Sequence, residues 1–220
     1  MIGYFGPEGT FTHQALLSLD LHEDATAYPT VGATLDAVRS RTVRAGLVPI
    51  ENSVEGGVSA TLDNLARGKP LIIVAEVLLP VQFGLYVRPG TDLADIRRVI
   101  THPHAAAQVR QWLASQLPGA EVTENGSTAG AARTVADPDS GFDAAVCAPI
   151  AGGLYGLSAA ASEIADNPDA LTRFVLVSRP GPPPPKTGYD KTSLVTYLRE
   201  DRSGALLEIL EQFASRGVNL

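Results

Sequence analysis

Residues 48–63 read VPIENSVEGGVSATLD, and the fold turns on how this stretch is read. The apolar run over residues 45–50 predicts a short buried strand. It ends at a cluster of polar and glycine residues: Glu51, Asn52, Ser53, Glu55, Gly56 and Gly57. Val58, Leu62 and Leu65 then recur at i, i+4 and i+7, which is helical spacing, and Gly68 just beyond them is a stop signal. Strand, polar loop and helix in that order predict an α/β unit. In open α/β sheets, ligands sit beyond the carboxyl ends of strands, where helix N-termini offer free N–H groups and partial positive charge. Glu51, Asn52 and Ser53 fall at that point. The plainer role for an Asn-Ser pair is to cap the next helix.

The same pattern extends upstream. Residues 2–5 predict a strand that runs into Gly6-Pro7-Glu8-Gly9-Thr10-Phe11-Thr12 and a helix carrying Ala15, Leu16 and Leu19. Thr10 or Thr12 can cap that helix, and the two glycines let backbone approach a ligand. Residues 30–42 hold Val31, Leu35 and Val38 at helical spacing, so repeated β/α units predict a mainly parallel, twisted sheet.

Downstream, residues 71–87 read LIIVAEVLLPVQFGLYV. This run is too continuous for an amphipathic helix and contains Pro80, so it predicts two extended segments with a crossing between lobes near residues 76–81. A second α/β unit follows. Asp92 caps a short helix through Ile96, and a strand at Val99-Ile100 ends at Thr101-His102-Pro103-His104. A helix is predicted over 105–117, a strand over 121–124, a helix over 129–136 opened by Asn125-Gly126-Ser127-Thr128, a strand over 143–148 and a glycine-punctuated helix over 150–155. The loops at Gly6, Glu51, Thr101 and Asn125 all place hydroxyl or amide groups before a helix. A cleft lined by such termini would bind carboxylates.

Residues 171–177, LTRFVLV, predict an apolar strand with a hydroxyl and an Arg at its start, an unusual place for a charged side chain. PGPPPPKTGY over 180–189 is a stiff linker by composition. Residues 191–198 then alternate as a half-buried strand, a helix carries Leu206, Ile209, Leu210 and Phe213, and residues 218–220 begin a further strand. That last segment is too short to enclose a core by itself.

Composition narrows the function. The chain has 220 residues, 45% of them hydrophobic and 19% charged, which is ample for a packed core of one or two domains. A net charge of −7 without a basic stripe argues against nucleic acid. No signal-like or bilayer-spanning run is present, so a cytoplasmic protein without membrane contact is expected. The single Cys147 lies in AAVCAPI and reads as a buried small hydrophobe, not a nucleophile. His102 and His104 lack a third ligand at useful spacing, so they read as a helix-capping turn and no metal is expected.

Five motifs share one order: GPEGTFTHQAL at Gly6, VPIENSVEGGV at Val48, THPHAAAQ at Thr101, NGSTAGAA at Asn125 and LTRFVLV at Leu171. In that order and spacing the chain resembles the prephenate dehydratases over residues 1 to about 178. The tail GALLEILEQFASRGVNL resembles the first half of an ACT domain, the phenylalanine sensor that follows the catalytic part in that family. The resemblance implies an α/β catalytic domain over residues 1–179, two-lobed and similar to type II periplasmic binding proteins. Lobe 1 would comprise about 1–76 plus 160–179 and lobe 2 about 77–159. A linker over 180–190 and an incomplete ACT (ferredoxin-like) domain over 191–220 would follow.

The implied activity is a cofactor-free conversion of prephenate to phenylpyruvate, water and carbon dioxide in L-phenylalanine biosynthesis. Thr172 matches the family's key catalytic residue, with Glu51, Asn52 and Gln108 beside it. Thr10, Ser53, Thr101, Ser127, Thr128, Arg173 and Phe174 are the expected substrate contacts. A threonine hydroxyl is a weak acid, and Glu51 is the carboxyl that the motifs match. Gly204, Ala205 and Leu206 match part of the phenylalanine site. The Glu-Ser-Arg-Pro motif that should follow Leu220 does not occur, so these residues alone are expected to be active but insensitive to phenylalanine, which would act on the full-length protein. A homodimer or homotetramer is expected. Two alternatives stay open: a cyclohexadienyl dehydratase acting on arogenate, and a non-catalytic module that binds or senses a small acid.

Overall fold

A computed structural model describes residues 1–182, 184–198 and 200–219. It divides into two units, Met1–Pro183 and Pro184–Leu220. In the first unit, strands β1 (Ile2–Phe5), β2 (Ala25–Tyr28), β3 (Ala45–Asn52), β4 (Gly56–Gly57) and β5 (Ile72–Pro80) build one sheet. A second sheet holds β6 (Gly84–Val87), β7 (Arg98–Thr101), β8 (Glu121–Glu124), β9 (Ala144–Cys147) and β10 (Ser158–Ala161), and β11 (Leu171–Ser178) returns to the first. The helices are α1 (Phe11–Ser18), α2 (Val31–Arg39), α3 (Ser59–Ala66), α4 (Pro103–Gln108), α5 (Arg110–Gln116), α6 (Thr128–Ala136) and α7 (Pro149–Leu154), with α8 (Ala205–Ala214) in the second unit.

The first sheet runs β2-β1-β3-β11-β5, and β4 pairs with β3. Its β1, β2 and β3 are parallel, whereas β11 is antiparallel to both β3 and β5. The sheet is therefore mixed instead of mainly parallel, because the chain re-enters it from the second lobe. The second sheet, β10-β6-β9-β7-β8, is mixed as well. β2 and β10 were not anticipated from the sequence. Each is only four residues long and carries few large apolar side chains, so neither gives a strong period-2 signal.

Both faces of the first sheet are covered. Val48, Ile50, Val175 and Val177 pack with Val31 and Leu35 of α2. Ala45, Leu47, Phe174 and Leu176 pack with Ala15 and Leu16 of α1 on the other face. Between β3 and β11 the register shifts. Val48 pairs with Val175 and Pro49 with Phe174, but Glu51 pairs with Arg173 and Asn52 with Thr172, so Ile50 is an extra residue. This is a β-bulge, one of the few places where a central strand tolerates proline. The pairing of β3 with β1 has already ended at Leu47. The carbonyls around the bulge are satisfied from the segment that follows: the fully buried Thr61 of α3 donates its hydroxyl to Pro49 O, and Val58 N donates to Ile50 O at 2.9 Å.

Several expectations are corrected here. The strand predicted to stop at Ile50 continues to Asn52 and turns into a tight hairpin with β4. Asn52 and Ser53 therefore cap nothing, and the N-cap of α3 is Val58, without a side-chain hydrogen bond. On α3 the residue that turns inward is Thr61, while Leu62 stays exposed. The helix predicted over 105–117 breaks at Val109. Its second half is capped from a distance: the Asp166 carboxylate accepts from Gln111 N at 3.0 Å and Trp112 N at 3.2 Å, and Asp166 N donates to Gln108 O at 2.7 Å. The crossings between sheets fall at residues 81–83 and 162–170.

In the second unit α8 forms as predicted, but residues 191–198 are not a strand and Leu194, Val195 and Leu198 are exposed. A strand needs a ladder partner, and among the described residues of this unit there is none. Val218 and Asn219 form no strand, and Leu220 lies outside the described residues. Among the described residues no helix is long and apolar enough to cross a membrane.

The role of Thr61 is testable. Thr61→Val keeps the shape and removes the donor to Pro49 O, which costs about 1–3 kcal/mol of stability, the usual penalty for an unpaired carbonyl. A denaturant midpoint unchanged from wild type would contradict this account of the bulge.

Candidate active site

The bulge decides which side chains reach the cavity. Strict alternation past Ile50 would place Glu51 on the α1 face and Asn52 on the α2 face. The extra residue exchanges them. Asn52 joins Pro49, Thr172 and Phe174 in lining a cavity of about 650 Å³ between the two sheets. Glu51 stands on the opposite face with Arg173 and Glu76, where Arg173 Nε donates to Glu76 at 2.7 Å and Arg173 Nη1 lies 3.7 Å from Glu51. Glu51 and Arg173, both expected at the site, do not line it. They form a clamp across β3, β11 and β5 behind it.

Asn52 is held by both ends of its amide. Its Oδ1 accepts from Val54 N at 2.8 Å and Glu55 N at 3.2 Å, so its Nδ2 is the end that donates to Thr172 Oγ1, at 2.8 Å. Ser53, also expected as a substrate contact, fastens the start of β11 instead: Ser53 N donates to Leu171 O and Leu171 N to Ser53 Oγ, both at 2.9 Å. Thr172 is 7% exposed and faces the cavity from a strand fixed on both sides.

From the first lobe, Thr10 and Thr12 also line the cavity, with Phe11 packed edge-on against Phe83 at 5.3 Å. Thr10 caps α1 and donates its hydroxyl to Pro7 O at 2.9 Å. The second lobe contributes His102, His104, Gln108, Ser127 and Thr128. Ser127 caps α6, and its own N–H is taken by Asn125 Oδ1. Gln108 Oε1 is buried at the wall without a protein partner. Thr101 is a further correction: it is fully buried and its hydroxyl donates to Val146 O at 2.7 Å, tying β7 to β9 behind the cavity.

His102 caps α4, its Nδ1 accepting from His104 N at 3.3 Å. Burial, and then the neighbouring His104, push its pKa down against Glu55 and Glu124. His104 pairs with Glu55 of the β3–β4 hairpin across the cleft. Glu55, His102 and His104 are cavity residues that the motif reading did not place there. The signal for Glu55 was the Glu-Gly-Gly tripeptide, which reads as a hairpin turn only once β4 is recognised. Among the described residues no group of three or more His, Cys, Asp or Glu could hold a metal ion. Cys147 is fully buried, and burial pushes its thiol up to about 12, so it is no nucleophile near neutral pH.

Two mixed sheets joined by two crossings, with hydroxyl and amide groups of both lobes and two imidazoles of the second facing one cavity, define a two-lobed α/β protein with a cavity of small-molecule size between its sheets. The model of the family described as Prephenate dehydratase matches residues 2–182. A prephenate dehydratase of Amycolatopsis methanolica is 51% identical over 221 residues, covering 100% of this chain and 71% of that protein. One from Mycobacterium leprae is 50% identical, covering 100% and 70%. The crystal structure of the Arthrobacter aurescens prephenate dehydratase in complex with L-Phe superposes with a TM-score of 0.93 at 49% identity, covering 100% of this chain and 72% of that one. The chain belongs to the prephenate dehydratase family. Its activity is the dehydration and decarboxylation of prephenate to phenylpyruvate in phenylalanine biosynthesis.

The exchange of faces at the bulge gives a paired prediction. Asn52→Asp replaces a donor to Thr172 with an acceptor and turns the threonine proton away from the cavity, so kcat falls about 100-fold. Glu51→Gln leaves kcat within about threefold, since its carboxyl is outside the cavity. Steady-state rates on prephenate check both, and equal losses in the two variants would contradict the assignment of faces.

Proposed function

We propose that Thr172 donates a hydrogen bond to the hydroxyl that leaves prephenate and that Asn52 sets its direction. The supporting observation is the Asn52–Thr172 bond: the threonine oxygen accepts from Nδ2, so its own proton is directed elsewhere, toward the cavity it lines. In the reaction the bond from the ring to one carboxylate breaks, its electron pair enters the ring, and the carbon–oxygen bond to the opposite hydroxyl breaks. The products are carbon dioxide, water and an aromatic ring. Aromatisation supplies the driving force, and the protein supplies alignment and the proton that completes the water. A threonine is too weak an acid to lose its proton outright, so it relays one and recovers another from solvent. The orphaned Gln108 Oε1 accepts from the leaving hydroxyl before departure, which fixes that group between Gln108 and Thr172. Phe11, Phe83 and Phe174 enclose the ring. Thr10 and Thr128, at the starts of α1 and α6, face the polar end of the substrate.

The second unit fits the start of an ACT regulatory domain in a homo-oligomer of the cytoplasm. α8 follows Gly204, which adopts φ 85° in the left-handed region and opens the Gly204-Ala205-Leu206 turn. Because the Arthrobacter aurescens relative carries L-Phe, phenylalanine is the proposed effector here too.

Thr172→Ala lowers kcat about 100- to 1000-fold with little change in KM, and Thr172→Ser keeps much more activity. Rates of phenylpyruvate formation test this, and near-normal kcat in the alanine variant would remove Thr172 from the mechanism. The same assay with arogenate replacing prephenate separates the two substrates through their kcat/KM values.

A further inference from the structure

The substrate is a dianion, yet no Lys or Arg is among the described residues lining the cavity. The whole chain is acidic, at −7, so the surrounding field does not make up for this. The nearest arginine in sequence, Arg173, faces away and is engaged by Glu76 and Glu51. Cationic charge in the cavity can come only from imidazole. Of the two histidines, His102 is the partly buried one; its pKa is pushed down, and its Nδ1 already accepts a backbone N–H, so it is the neutral member. His104 differs: its side chain is 62% exposed at the mouth of the cleft and its Nδ1 meets the Glu55 carboxylate.

We propose that His104 is the residue that holds the substrate carboxylate retained in the product, with Glu55 as the counter-ion that this carboxylate displaces. The inference deepens the functional reading above and rests on it. It also fixes the orientation of the substrate. With the retained carboxylate at the open mouth beside His104, the carboxylate that departs as carbon dioxide lies toward the apolar wall of Val81, Phe83 and Phe174. There a charge is poorly solvated and its conversion to a neutral gas is favoured. The charged and titratable groups that face His104 are Glu55 from the hairpin and His102 from its own loop, with Glu124 at the end of β8 facing His102.

Because the product keeps the same carboxylate, the test does not depend on turnover alone. At pH 6, His104→Gln raises both the KM for prephenate and the Kd for phenylpyruvate, measured by calorimetry, about tenfold or more, with kcat within about threefold. His104→Lys carries a fixed charge and restores both constants to within about threefold of wild type. Glu55→Gln breaks the same contact between lobes but removes a like charge from the substrate's path, so it lowers KM at pH 6. The assignment is overturned if His104→Gln leaves both constants within twofold of wild type, or lowers kcat with KM intact. It is overturned equally if Glu55→Gln raises KM as much as His104→Gln, which would make the contact structural. Wild-type protein that forms no phenylpyruvate would instead sink the functional reading itself.

Discussion

The geometry of this protein depends on one extra residue in β3. A strand presents its side chains to alternate faces, so an inserted residue exchanges the faces of everything beyond it. Up to Pro49 the strand follows the alternation that its apolar residues impose, with Val48 toward α2 and Leu47 toward α1. After Ile50 the order inverts, and an amide replaces a carboxylate at the cavity wall. Proline is what makes the position suited to a bulge, since it brings no N–H to a ladder that is interrupted there anyway. Thr61 and Val58 then satisfy the carbonyls of Pro49 and Ile50, so the distortion leaves both of them paired.

The electrostatics follow from the same exchange. Had Glu51 faced inward, an unpaired carboxylate would stand next to Thr172 and oppose a substrate with two negative charges. On the other face it meets Arg173, which Glu76 holds by Nε and a terminal nitrogen, and the three residues tie three neighbouring strands together. A charge clamp open to solvent is weak support for stability in itself. Its value here is register: it spans β3, β11 and β5 at the level of the bulge. The carboxylate that does reach the cavity, Glu55, arrives on a hairpin tip and meets the His104 imidazole across the cleft.

Much of the fold was legible because its signals are local. The strand at β11, the helices α2 and α6, the buried Cys147 and the Thr10 and Ser127 caps all follow from apolar spacing and capping chemistry. The motif comparison also named Asn52, Gln108, Thr172, Phe174, Thr10, Ser127 and Thr128, and all of these line the cavity. The residues misplaced from sequence have different causes. Glu51 and Ser53 follow the extra residue of β3, beyond which alternation no longer gives the face, whereas Arg173 alternates away from its neighbours Thr172 and Phe174 on β11 and Thr101 turns into the core at the end of β7. The strand expected over 191–198 was misjudged for a different reason: alternation proposes a strand, but only a partner ladder makes one.

The two segments between the sheets do more than connect them. Val81 N donates to Ala170 O at 2.8 Å and Ile164 N to Phe83 O at 3.0 Å, so the outgoing and returning chains are bonded to each other along the crossing. The return segment also supplies Asp166, which takes the first N–H groups of α5 and whose own N–H binds Gln108 O. That contact ends α4 at Gln108 and leaves the glutamine side chain at the cavity wall, where continued helix would have been governed by the packing of residues 110–116 alone. Gln108 is thus referenced to the crossing and Thr172 to the bulge, and the crossing is bonded directly to β11 through Ala170 and Leu171. Any change in the angle between the lobes therefore acts on the separation of these two polar groups through a short, hydrogen-bonded path, so their spacing across the cavity is set by backbone pairing instead of by long flexible side chains.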